Sequence, residues 1–171
     1  MKYQNIFLIG PPGAGKTTVG KHIAKYLHLD FFDSDSEIEH QCGVDIPWIF
    51  NVEGEAGFRV REESMLEELT GKQGIVLATG GGAILSDQNR NYLGGRGTVV
   101  YLNVSIDQEL NRLKNDKTHP ILQAPDRRSA LELLKEKRDP LYVEIADFTI
   151  DTDGKSIKQI TKQICELIDN N

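Results

Sequence analysis

Residues 10–17 read GPPGAGKT, a complete G-x-x-x-x-G-K-[ST] string. Glycines at that spacing let successive backbone N–H groups converge on phosphate oxygens, and a helix starting at the lysine adds the positive end of its dipole. Gly13, Ala14, Gly15, Lys16, Thr17 and Thr18 are therefore candidate nucleotide-binding residues. Lys16 would reach the β- and γ-phosphates, and the Thr17 hydroxyl would ligate Mg²⁺. A glycine-rich turn with an incidental lysine is the plainer alternative. It leaves unexplained the apolar run before the motif and the helical pattern after it, the context this motif requires. The residues point to a nucleoside triphosphate.

A second constellation is acidic. Residues 31–35 are FFDSD, directly after a short apolar run. In open α/β sheets ligands bind at the carboxyl ends of strands, so Asp33 and Asp35 face the nucleotide cleft. One carboxylate could hold a magnesium-bound water, the other accept a proton from an attacking hydroxyl. Ser and Asp before EIEH also suit a helix cap, which is the competing reading. Residues 75–82, IVLATGGG, end a strand in three glycines where an enzyme of this type commonly places an acid for magnesium. With Asp33 on the metal side no acid is needed there, and Gly80, Gly81 and Gly82 can offer bare backbone N–H groups to a small polar acceptor. A sharp turn alone would account for fewer glycines than three.

Two arginines stand on apolar helical stripes. Phe58, Met65, Leu66 and Leu69 form one stripe, with Arg59 beside it and Glu62 one turn away to hold the guanidinium. Leu131, Leu134 and Arg138 share another face, just before Pro140. A guanidinium on a buried face needs an anionic partner, either a structural glutamate or a ligand carboxylate gripped bidentately.

The elements that must position these groups alternate. Strands are predicted over 5–9, 30–32, 75–78, 98–103 and 148–151, with helices near 16–28, 34–40, 55–70, 86–94, 105–115, 126–146 and 155–169. Ser105 with Gln108 supports the start of the fifth helix. That alternation predicts βα units around a parallel sheet. The 171 residues suit one globular unit, and a net charge of −6 with pI about 5.2 disfavours general nucleic-acid or anionic-membrane binding. The apolar stretch in MKYQNIFLIG is too short for a signal or a membrane span. Cys42 and Cys165 have no metal-ligand spacing and read as free thiols in a reducing cytoplasm. Nothing resembles a long dimerisation helix, so a monomer is expected.

With GPPGAGKTT, FFDSD, GEAGFRVRE, ATGGG and RDPLY in this order and spacing, the chain resembles shikimate kinase along nearly its whole length. The resemblance implies a three-layer α/β/α P-loop fold with a five-stranded parallel sheet. It also implies one kinase domain over 1–171, with a substrate-binding part at about 34–62 and a mobile lid at about 113–126. The implied reaction moves the γ-phosphoryl of ATP to the 3-hydroxyl of shikimate, with Mg²⁺, on the way to chorismate. By position, Asp35 would act as base, while Arg59 and Arg138 would grip the shikimate carboxylate. Gly80, Gly81 and Gly82 would line the ring, Asp33 would hold magnesium through water beside Thr17, and Arg112 would stack on adenine. The family's lid usually reads R-P-L-L, whereas residues 119–122 are HPIL. His119 is a candidate on the nucleotide side, but it cannot present a guanidinium fork, so Lys117, or else Arg127 or Arg128, is expected to supply the lid cation over the phosphates. A gluconate-type kinase shares the loop but not the FFDSD, FR-x-x-E and TGGG combination. A nucleoside monophosphate kinase would need a second nucleotide pocket. A guanine-nucleotide switch would need N-K-x-D, which Asn115-Asp116-Lys117 does not match.

Overall fold

The computed structural model describes residues 4–117, 119 and 124–171. Of the lid expected over 113–126, residues 118 and 120–123 lie outside the described residues. Five strands, β1 (Ile6–Ile9), β2 (Asp30–Asp33), β3 (Ile75–Ala78), β4 (Thr98–Asn103) and β5 (Phe148–Asp151), pair in the order β2-β3-β1-β4-β5, all parallel. β1, β3 and β4 read as nearly continuous apolar runs because both of their faces are covered. Successive side chains then divide between two cores. Phe7, Ile9, Leu77, Val99 and Tyr101 pack on one face, and Ile6, Leu8, Val76, Val100 and Leu102 pack on the other. Each such side chain contributes about 1.5–3 kcal/mol by leaving water.

The helices are α1 (Lys16–Leu27), α2 (Ser34–Cys42), α3 (Ile46–Thr70), α4 (Asp87–Arg96), α5 (Ile106–Leu113), α6 (Arg127–Ile145) and α7 (Ile157–Asp169). α1 and α7 cover the face of Leu8; α3, α4 and α6 cover the face of Phe7. Ser105 accepts from the Gln108 N–H at 3.3 Å and starts α5. Ser156 and Gln159 form a reciprocal box at α7. Among the described residues no helix is long and apolar enough to cross a membrane.

The helix predicted from residue 55 is found there, and an unforeseen helical arm over residues 46–53 precedes it, capped by Asp45, whose carboxylate accepts from the Trp48 N–H at 2.9 Å. Pro47 lies in the first turn, where its missing N–H costs nothing. Gly54, with φ 73° and ψ 176°, lies outside helical geometry and separates the arm from the helix that follows. That backbone region is essentially reserved for glycine. Gly54→Ala is expected to destabilise the protein by roughly 1–3 kcal/mol in denaturant unfolding, although nothing stands within 4 Å of the added methyl. An unchanged unfolding midpoint would show that the kink is not held by the fold.

Candidate active site

The loop between β1 and α1 delivers the lysine. Gly15 caps α1 in a left-handed conformation, φ 92°, which a side chain would strain. Lys16 follows, buried, with Nζ donating to the carbonyls of Gly10 at 2.6 Å and Pro11 at 2.8 Å. Desolvation lowers its pKa to about 8, against the pull of Asp35, Asp33 and Glu109.

β2 brings the acidic pair to the same edge. Asp33 and Leu8 both register with Ala78, so β1, β2 and β3 end level. The Thr17 hydroxyl donates to Asp33 Oδ2 at 2.6 Å, while Asp33 Oδ1 accepts from the Ser36 N–H at 3.1 Å and caps α2. Capping and loop contact thus each use one oxygen of Asp33. Asp35 is not the cap: it stands in the first turn of α2, with Oδ1 buried and unpartnered among the described residues. Burial, reinforced by Asp33, pushes its pKa up to about 6.

Beside this pair opens a cavity of about 340 Å³, lined by Asp35, Arg59, Glu62, Gly80–Gly82 and Arg138, with Ile46 and Phe50 on the arm before Gly54. Arg59 donates to Glu62 Oε1 at 2.9 Å and to Glu55 Oε1 at 3.3 Å, as its spacing on α3 predicts. Glu62 is 1% exposed, and burial pushes it up to about 7 despite Arg59. The glycine triplet lines this cavity and also makes room for its charged neighbours. The Gly80 N–H is already donated to Ser34 Oγ at 3.2 Å. A methyl on Gly80 would lie 2.8 Å from Asp35 Oδ1, and one on Gly82 2.6 Å from Arg59 Nη1. The missing side chains therefore make room for the charged groups as well as for a ligand.

The remaining expected residues separate. Arg112 donates to Gly13 O at 2.9 Å and Thr152 Oγ1 at 3.3 Å, beside the phosphate loop. His119, expected on the nucleotide side, lines the cavity of Asp35, with Nδ1 2.9 Å from Asp116 Oδ2. Lys117 is exposed. Arg127 donates to Lys114 O, and Arg128 pairs with Asp107 and Glu132, directing both toward α5 and α6. One buried acid was missed. Glu109 shares the buried side of α5 with Leu113, four residues on, the signal that had marked Arg59 and Arg138.

A lysine-bearing phosphate loop, a parallel sheet and an anion-ready cavity beside it define a P-loop small-molecule kinase. A family model described as "Shikimate kinase" matches residues 12–169. A shikimate kinase of Psychromonas ingrahamii is 57% identical over 166 residues, 97% of each chain. One of Shewanella amazonensis is 56% identical over 163 residues, 95% of each. Among solved structures, a shikimate kinase from Acinetobacter baumannii in complex with shikimate superposes with a TM-score of 0.97 at 48% identity, covering 99% of this chain and 94% of that one. The Aquifex aeolicus shikimate kinase gives 0.83 at 30% identity, covering 98% and 97%. The chain belongs to the shikimate kinase family, and is an ATP-dependent phosphotransferase.

Asp35 carries a signed pH prediction. Because its folded pKa lies above the ordinary 3.8, its contribution to stability is full below that value and is lost as pH rises through about 6. Asp35→Asn should therefore raise the melting temperature at pH 8, by the equivalent of about 1–3 kcal/mol, with little change at pH 4. Turnover should collapse in the same variant. A melting temperature at pH 8 equal to or below that of the native protein would contradict the buried charge.

Proposed function

We propose that the two halves of the site divide the phosphorylation of shikimate between them. The phosphate loop, with Lys16, holds the triphosphate of ATP, while Asp35, Arg59, Arg138 and the glycine triplet hold shikimate. One observation carries this reading. Apart from Asn89 Oδ1, every buried side-chain atom without a partner among the described residues belongs to this cavity: Asp35 Oδ1, Glu62 Oε2, Arg59 Nε and Arg138 Nε. Unpaired donors and acceptors are costly away from water, so their convergence marks a polar ligand with a carboxylate and hydroxyls.

In the reaction, the bond between the γ-phosphorus and the ADP bridging oxygen breaks as one forms to the 3-hydroxyl oxygen of shikimate. Asp35 accepts the hydroxyl proton, which requires its ionised form. Arg59, steadied by Glu62, and Arg138 fix the carboxylate so that the hydroxyl points at the phosphate. Lys16 balances charge on the transferring group. Thr17 and Asp33 suit a magnesium ion, a hydroxyl and a carboxylate 2.6 Å apart beside the phosphate loop. Bound there, such an ion would supply charge neutralisation to the phosphates, with the Thr17 hydroxyl and the Asp33 carboxylate as the groups that would hold it. Arg112 is the adenine platform, and Lys117 the lid cation. The whole chain serves as one kinase domain, its acceptor part about 34–62 and its lid about 113–126. It works as a cytoplasmic monomer on two small molecules, and both cysteines are free thiols.

ADP release with Mg²⁺ and ATP, offered shikimate, gluconate or nucleoside monophosphates separately, tests the acceptor; turnover is expected with shikimate alone. Arg138→Ala should raise the KM for shikimate at least tenfold and leave that for ATP nearly unchanged, whereas Lys16→Met should cut kcat by about 10³-fold or more. An altered ATP KM in Arg138→Ala would remove Arg138 from the acceptor grip. Lys117→Ala is expected to lower kcat and raise the KM for ATP; unchanged values would reassign the lid cation.

A further inference from the structure

Glu109 is a carboxylate 3% exposed to solvent, on α5, outside the cavity just described. It opens on a small space behind the phosphate loop, shared with Pro11, Pro12, Tyr101, Lys135 and Arg138. None of the described cations is committed to it by a hydrogen bond. Lys16 Nζ donates to the loop carbonyls, and Lys135 Nζ to Asn103 Oδ1 at 2.9 Å and Val104 O at 3.4 Å. Three positive charges act on Glu109 through space: Lys16 from α1, and Lys135 and Arg138 from α6. The other titratable groups facing it are Tyr101 of β4, whose hydroxyl donates to Asp139, and Tyr142 of α6. A carboxylate taken out of water without a dedicated partner destabilises the fold unless charges nearby require it. Burial pushes it up to about 7, so its charge is adjustable near neutrality.

We propose that Glu109 is a positioning residue, the buried counter-ion shared by Lys16 on the phosphate side and Arg138 on the acceptor side, and that it couples occupancy of one side to affinity on the other. An anion arriving at either cation disfavours the ionised form of Glu109, which then takes up a proton. Once neutral, it no longer offsets the field of the other cation, and the second anion meets a stronger attraction. The inference rests on the reading of Arg138 as the grip on the acceptor carboxylate.

Calorimetric titrations of ADP and of shikimate, each alone and with the other present, test it near pH 7 in two buffers of different ionisation heat. The native protein should take up protons on binding, and each ligand should tighten the other by about fivefold or more. Glu109→Gln keeps the shape and removes the charge. It should lose part of the proton uptake, bind each ligand alone more tightly at pH 8, and show weaker coupling. Proton counts and coupling identical to those of the native protein would overturn the proposal. So would a uniform loss of affinity at every pH with a lowered melting temperature, the pattern of a merely structural role. Native protein that takes up ADP with protons but does not bind shikimate would instead overturn the acceptor reading, and the shared role with it.

Discussion

Lys16 is an ammonium withdrawn from water, and most of the surrounding arrangement follows from keeping it charged there. Its hydrogen bonds go to two carbonyls of its own loop, and its charge is balanced at a distance by Asp35, Asp33 and Glu109. Those acids come from three different segments: the end of β2, the start of α2 and the middle of α5. A parallel sheet whose strands end level is what brings such segments to one edge. The core on either face of the sheet thus serves as the rigid frame for a cluster of unlike charges.

That cluster is expensive in stability. Asp35, Glu62 and Glu109 are all raised toward neutrality by burial, which means that the folded chain holds charges it would rather lose. Replacing such groups by neutral residues of similar shape commonly strengthens a fold. The unpaired arginine donors are intelligible if an anionic ligand completes their balance, because a ligand carboxylate beside Arg59 and Arg138 would satisfy groups that the protein leaves unpaired.

The glycine triplet and the kinked helix tie this electrostatic design to the backbone. Gly80 and Gly82 keep Asp35, Glu62 and Arg59 within reach of one another, since a methyl at either position would meet their charged tips. Gly54 turns the arm bearing Ile46 and Phe50 so that it walls the cavity that Arg59, on the longer half of α3, lines with its guanidinium. Backbone freedom at a few positions therefore sets the shape of the cavity.

Features governed by local chemistry were legible in the sequence. The spacing of GPPGAGKT shows a phosphate loop because backbone donors and a helix start need only neighbouring residues. The runs at β1, β3 and β4 show strands covered on both faces because both neighbours of each position are apolar. Arg59 with Glu62 was legible because helical spacing alone puts them together. What only the tertiary structure decided depends on which face meets which segment. The helical arm over residues 46–53 was hidden, because Gly54 leaves helical geometry and cuts it off from the longer helix that follows. The capping role belongs to Asp33 rather than Asp35, and His119 lines the cavity beside Asp35. Glu109 gains its meaning from α1 and α6, far from it in the chain. Charges act through space, and a sequence records their order along the chain rather than the distances between them.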